Sequence, residues 1–215
     1  VSLMVDSYVE RLNTDATGTV IKEVVVKQGD EEVICSADLV VVACGAINSA
    51  ALLLRSANDK HPNGLANGSD VVGRHYMAHN NSAMLAISNK PNPTLFGKTF
   101  GMNDFYFGSD DFEYPMGHIQ MLGKSDPIMF KEDAPIIAPG LALDFIAKHA
   151  LDFWMTSEDL PDPNNRVLVG KDGKIHLDYT ENNVEGHNRL QKKLRWILGH
   201  LDDKVRLLPN NIYLG

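Results

Sequence analysis

Three groups of residues in this sequence have the types and spacing to do chemistry. The first is Gly45-Ala46, which stands between the apolar run Leu39–Ala43 and a helix pattern with Ala50, Leu53 and Leu54 on one stripe. A strand, a glycine turn and a helix N-terminus form a place where a phosphate can settle. Free backbone N–H groups and the positive end of the helix dipole face the anion, and glycine lets it come close. Asn48 or Ser49 is expected to cap the helix. One glycine is a weaker signal than a full dinucleotide fingerprint, and an ordinary strand–helix unit reads the same way.

The second group is His118 and Gln120, which alternate with Gly117, Ile119 and Met121 in the run Tyr114–Leu122. A strand with Met116, His118, Gln120 and Leu122 on one face either lines a polar cavity, where hydroxyls are held by hydrogen bonds, or simply meets solvent. The third is His75 and His79, four residues apart. On a helix they would face the same way, as metal ligands do, but no Glu stands between them and no third ligand is evident, so the expectation is no metal. His79 reads instead as a packed, hydrogen-bonded residue. Cys35 and Cys44 are not in a CxxC spacing and are expected to be buried free thiols.

These residues need elements to position them. The 215 residues, 44% hydrophobic, can build one large domain or two small ones. Val1–Ser36 reads as a small β meander, with turns at Asp15–Gly18 and Gln28–Asp30. Leu39–Ala43 has no polar face and is expected as a strand buried on both sides of a parallel sheet. A helix from about Ser49 to Ser56 follows, then a loop rich in Asn, Gly, Pro and Asp from Asn58 to Val72.

From Ala83 the apolar runs are short and lack crossover helices, which favours a mostly antiparallel sheet with strands at Ala83–Ile87, Phe105–Phe107, Met116–Leu122 and Phe153–Thr156. Ala134–Gly140 reads as a loop and Leu141–Lys148 as a helix. Lys171–Lys174 reads as a hairpin turn, and Asn183–His200 as an amphipathic helix with Leu190, Leu194, Ile197 and Leu201 on its apolar face. The formal net charge of −8 argues against a nucleic-acid surface, and no apolar run approaches a membrane span.

Three stretches also resemble the glucose-methanol-choline (GMC) flavin oxidoreductases. Gly45-Ala46, Ser49 and the pair Leu53-Leu54 follow the second GMC signature, with departures at Ala50, Ala57 and Asn58. Val72-Gly73-Arg74, Met77 and His79 come next in the family's order. Ser157-Glu158, Leu160-Pro161, Pro163 and Arg166-Val167 are similar to the run that opens the family's C-terminal region. Arg166 is expected to pin that turn through carbonyls.

The resemblance implies the end of an FAD-binding, Rossmann-like domain (residues 1–72) joined to a partial, mostly antiparallel substrate domain (73–215). The fold class is thus α+β or α/β with flanking helices. It implies FAD as cofactor, contacted on its adenine side by the Val9 backbone, and an alcohol, polyol or sugar substrate; with the glycine turn this makes Gly45 and Ala46 further FAD contacts, and the strand alternation makes His118 and Gln120 the candidate hydroxyl partners. It also implies that the dinucleotide fingerprint precedes this chain and that the catalytic histidine lies beyond Asn210–Gly215. No catalytic base is therefore assigned to any of the eight histidines, and these residues by themselves are expected to be inactive. Two other readings stay open: a non-catalytic binding module of the same fold, and a nicotinamide-dependent enzyme. The second lacks a suitably placed acidic residue.

Overall fold

A computed structural model describes residues 1–128, 140–200 and the short strand at 205–207. The chain forms two compact units, residues 1–77 with 161–180, and residues 78–160 with 181–215. The return of 161–180 to the first unit is not among the sequence expectations.

The first unit opens with an antiparallel meander of β1 (Ser7–Thr14), β2 (Ile21–Gln28) and β3 (Glu31–Cys35). It starts later than the alternation of Val1, Leu3 and Val5 suggests, because those three side chains meet no partner and stay exposed. Helix α1 (Gly45–Arg55) packs on β1 through Leu12, Leu52 and Leu65, joined by Val9 and Val24. Its buried residues are Ala51 and Leu52, not the stripe beginning at Ala50.

The expected strand at Leu39–Ala43 is absent. Those residues have no ladder partner, and Leu39 and Val41 are 78% and 75% exposed. Val40 and Val42 point the other way and pack against the Leu12–Leu52–Leu65 cluster. The segment is thus extended, as its valines favour. It is covered on one side, and among the described residues no neighbouring strand pairs with it.

The hairpin of β8 (Arg166–Val169) and β9 (Ile175–Asp178) completes this unit. It brings two of the family-like stretches side by side. Val167 N–H donates to Gly73 O at 2.7 Å and Tyr76 N–H to Asn165 O at 2.9 Å. Gly73, at φ +83°, is required there, since a Cβ would run into the Val167 carbonyl. Arg166 does not pin the turn. Its Nε is buried without a partner among the described residues. Arg74 does so instead, donating to Pro163 O at 3.0 Å, as does Asn165, whose amide exchanges two hydrogen bonds with the Thr180 backbone.

The second unit is a five-stranded antiparallel sheet in the order β10 (Val205–Leu207), β4 (His79–Ser88), β7 (Ala150–Glu158), β6 (His118–Met121), β5 (Gly101–Met102). Antiparallel pairing throughout matches the short, loop-separated runs of the sequence. The Phe105–Phe107 run is a turn rather than a strand. Helix α3 (Val184–Gly199) lies against one sheet face. Leu190, Leu194 and Leu198 meet Met84, Ala86, Met116, Ile119, Phe153 and Met155 in the main core. Leu198 takes the inward position expected of Ile197. Leu201 and the expected loop at 134–139 lie outside the described residues. Helix α2 (Gly140–His149) borders the other face, where Ile146 packs on Leu85, Ile87 and Ala150.

Candidate functional site

In the first unit, the Val42 side of the extended segment leads into Gly45, whose φ of +80° turns the chain into α1. The helix therefore begins four residues ahead of the expected Ser49. Neither Asn48 nor Ser49 caps it: Cys44 stands at the cap without a side-chain bond, and Ser49 Oγ reaches back to accept from Cys44 N–H at 3.0 Å. A Cβ on Gly45 would meet nothing within 4 Å, and no acidic residue lies in the first helical turn. Gly45 and Ala46 are exposed. The first backbone N–H groups of an 11-residue helix thus face open space with no carboxylate to repel an anion.

The other end of α1 is anchored. Ser56 Oγ accepts from Leu12 N–H at 2.9 Å and donates to Leu52 O at 2.7 Å, and Arg55 donates to Glu10 O at 3.3 Å while lying over the Tyr8 ring. Val9, half-buried on β1 opposite Val26, shares the apolar cluster with Val40 and Val42. Val9, Gly45 and Ala46 therefore belong to one unit. The exposed Gly45-Ala46 turn, with free N–H groups and no acidic residue in the first helical turn, suits an anionic group.

The second unit places His118 and Gln120 on the sheet face opposite α3. Residues paired across strands share a face, so His118 stands abreast of Thr156 and Asn81, and Gln120 abreast of Trp154, Ala83 and Gly101. All but Gly101 and Ala83 are half-buried. Thr156 Oγ1 donates to Asn81 Oδ1 at 3.0 Å. His118 Nδ1 lies 2.6 Å from Asn103 Oδ1. With Nδ1–H donating to that oxygen, the neutral ring presents Nε2 as an acceptor. Gly101, opposite Gln120, has no side chain to fill the space, and its Cβ would stand 3.2 Å from the His118 ring.

The alternation expected of this strand fails at Gly117, whose φ of +125° breaks it. Met116 consequently turns into the core with Ile119, instead of joining His118 and Gln120.

A histidine that sequence reasoning passed over lies on the other side of the same sheet. His187 of α3 is 5% exposed, between Ser82 (Nε2, 2.6 Å) and Ser157 (Nδ1, 2.8 Å). Ser157 Oγ spends its proton on Met116 O, so it accepts from Nδ1–H. Ser82 donates to Nε2 and accepts from Gln191. Every proton is placed with the imidazole neutral, and burial holds the His187 pKa below its ordinary value of 6.5. Helical spacing with Leu190, Gln191 and Leu194 was the available signal. Asn81 could have been found from the alternation of β4, whereas no local pattern marks Asn103.

Near α2, burial pushes the Asp152 carboxyl up despite the proton given to Oδ1 by Ser125, and pushes Lys124 down, with its Nζ donating to three backbone carbonyls.

His75 and His79 do not share a helix: His75 sits at φ +56° in a turn, and His79, exposed rather than packed, opens β4. No cluster of three or more metal-ligating side chains occurs among the described residues. Cys35 is half-buried and Cys44 exposed, both free, so neither is the buried thiol expected. No described helix is long and apolar enough to cross a membrane.

An antiparallel meander carrying α1, joined in sequence to a larger antiparallel sheet, is similar to the GMC-type flavin oxidoreductases, a class whose cofactor is FAD. Homology and fold both support this class. The chain is 32% identical over 144 residues, 64% of its length, to the fructose dehydrogenase large subunit of Gluconobacter japonicus. Its fold matches the crystal structure of pyridoxine 4-oxidase from Mesorbium loti with a TM-score of 0.57, over 97% of this chain at 18% identity. It spans about a quarter (26%) of the former protein and 42% of the latter chain. No family model matches the sequence.

Proposed function

We propose that the protein carrying this chain oxidises a CH–OH group of an alcohol, polyol or sugar by hydride transfer to FAD. The observation that carries this reading is the Gly45 turn, an open, left-handed glycine at the head of a helix, set on the strand of Val9. The relatives support it, since one is named for fructose and another for pyridoxine.

FAD, when bound, supplies the hydride acceptor. The residues of this chain bind and orient. Val9, Gly45 and Ala46 hold the adenosine and pyrophosphate side, through backbone groups and the helix N-terminus. His118 and Gln120 hold substrate hydroxyls on the open sheet face, His118 accepting at Nε2 and Gln120 through its amide. No base for the hydroxyl proton is assigned among the histidines described above.

The test is kinetic, in a flavoenzyme in which this segment replaces the matching residues. Gln120→Ala and His118→Ala should keep full flavin content while raising KM or lowering kcat by about tenfold, the loss of one hydrogen bond to a substrate hydroxyl. Unchanged KM and kcat in both variants would remove the substrate assignment.

A further inference from the structure

The loop that follows α1 carries the pair Asn-Gly twice, at Asn63-Gly64 and Asn67-Gly68. Asparagine before glycine is open to an internal attack, because glycine has no side chain to keep its nitrogen away from the carboxamide. The glycine nitrogen bonds to the asparagine Cγ, the Cγ–Nδ2 bond breaks, and ammonia leaves with the proton. Water then opens the cyclic imide to aspartate or isoaspartate. In a flexible chain the two pairs would react alike.

The fold treats them differently. Asn67 is 3% exposed, and its carboxamide is fixed at both ends. Nδ2 donates to Asn63 O at 2.8 Å, and Oδ1 accepts from Val72 N–H at 2.9 Å. It cannot swing onto the Gly68 nitrogen without breaking both bonds. Asn63 is exposed, and its carboxamide has no partner among the described residues. One backbone bond restrains this pair, from Gly64 N–H to His61 O at 3.1 Å. Gly64 is itself pinned against α1. At φ +103° its Cβ would stand 2.9 Å from Leu54 Cα, and the next residue, Leu65, donates its N–H to Leu53 O at 2.9 Å. The nucleophile is held in place while the carboxamide beside it is free to turn.

We propose that Asn63 is a site of spontaneous deamidation in the folded protein and that Asn67, with the same following residue, is guarded from it. The reaction at Asn63 has one turn bond to open. The reaction at Asn67 has two side-chain bonds to break and a buried amide to bring out. The product also acts on its neighbour. In isoaspartate the chain runs through the former side chain, so the residue 63 carbonyl that holds Asn67 Nδ2 becomes part of a free carboxylate. Modification at 63 thus adds a negative charge and loosens the clasp on Asn67. The inference does not depend on the function proposed above.

Incubation of the full chain in mildly alkaline buffer tests this, followed by tryptic digestion and fragment mass spectrometry of His61–Arg74, the peptide that holds both sites. In the folded chain Asn63 should convert at least about tenfold faster than Asn67, the difference of one hydrogen bond and a burial. In urea the two rates should come together. Asn63→Gln, whose longer side chain closes its ring slowly, should remove most of the conversion seen in the folded chain. Equal conversion at the two sites in the folded chain, faster conversion of Asn67, or the same site ratio with and without urea would overturn the assignment. So would undiminished conversion in Asn63→Gln, or an Asn63 that stays intact in the folded chain while the unfolded chain converts fully.

Discussion

His187 and His118 lie on opposite faces of one sheet, and their surroundings differ in every respect that decides what an imidazole can do. His187 is enclosed, with both nitrogens satisfied by serines whose own protons are spoken for. His118 is half-buried, tied at Nδ1 to a loop asparagine and open at Nε2. A closed network of this kind rigidifies a core and is costly to break, whereas a ring with one nitrogen free can meet a ligand. Residue type is the same; saturation of partners separates a structural histidine from a candidate binding one.

The largest effect should come from breaking the closed side. His187→Ala leaves Ser82 and Ser157 each short of a partner and opens a cavity, so it should cost about 3–4 kcal/mol in urea denaturation. A loss under about 1 kcal/mol would mean that the network is not closed in solution.

Gly117→Ala tests the break that sends Met116 inward and leaves His118 outward. At φ +125°, with its new Cβ against the Thr156 carbonyl, it should cost about 2–3 kcal/mol. An alanine tolerated there would restore the simple alternation.

Acidification sharpens the contrast. The folded chain keeps His187 neutral below 6.5, where the unfolded chain takes up a proton. Stability is therefore full above 6.5 and falls as the pH drops from there toward the depressed folded value. His187→Gln should flatten that slope, measured as urea midpoints against pH. Asp152 works in the opposite sense. Its carboxyl is raised in the fold, so its contribution is full below the unfolded value of 3.8 and is lost as the pH rises through the folded one. Asp152→Asn should remove only that component.

The smallest effect belongs to the open side. Asn103→Ala should change stability by less than about 0.5 kcal/mol, because Asn103 is exposed. It should still shift the 15N resonances of His118 by freeing its tautomer. Unmoved ring resonances would show that Asn103 does not orient it.

Much of the fold was legible from local pattern: the meander from its valines and glycine turns, α2 and α3 from helical spacing, and the hairpin at Lys171–Lys174. What failed depended on partners. Leu39–Ala43 reads as a buried strand because valine favours that state, yet a strand needs a neighbour to supply hydrogen bonds, and none of the described residues does. The alternation through Met116 broke at one glycine whose positive φ no side-chain pattern reveals. Gly45 and Ala46 were visible as a turn. The pairing of His118 with Asn103, or of Gly73 with Val167, joins segments distant in sequence and leaves no periodic trace.

Flavin retention by a Gly45→Val variant tests the central claim most directly, in a flavoenzyme built around this segment, with Gly29→Val as control. Gly29 also lies at positive φ with open space around it, in the β2–β3 turn, so the two substitutions impose the same kind of backbone strain. Gly45→Val should purify without flavin absorbance, its branched side chain standing where the pyrophosphate must approach, while Gly29→Val stays yellow. Full flavin occupancy in Gly45→Val would contradict the placement of the cofactor at this turn.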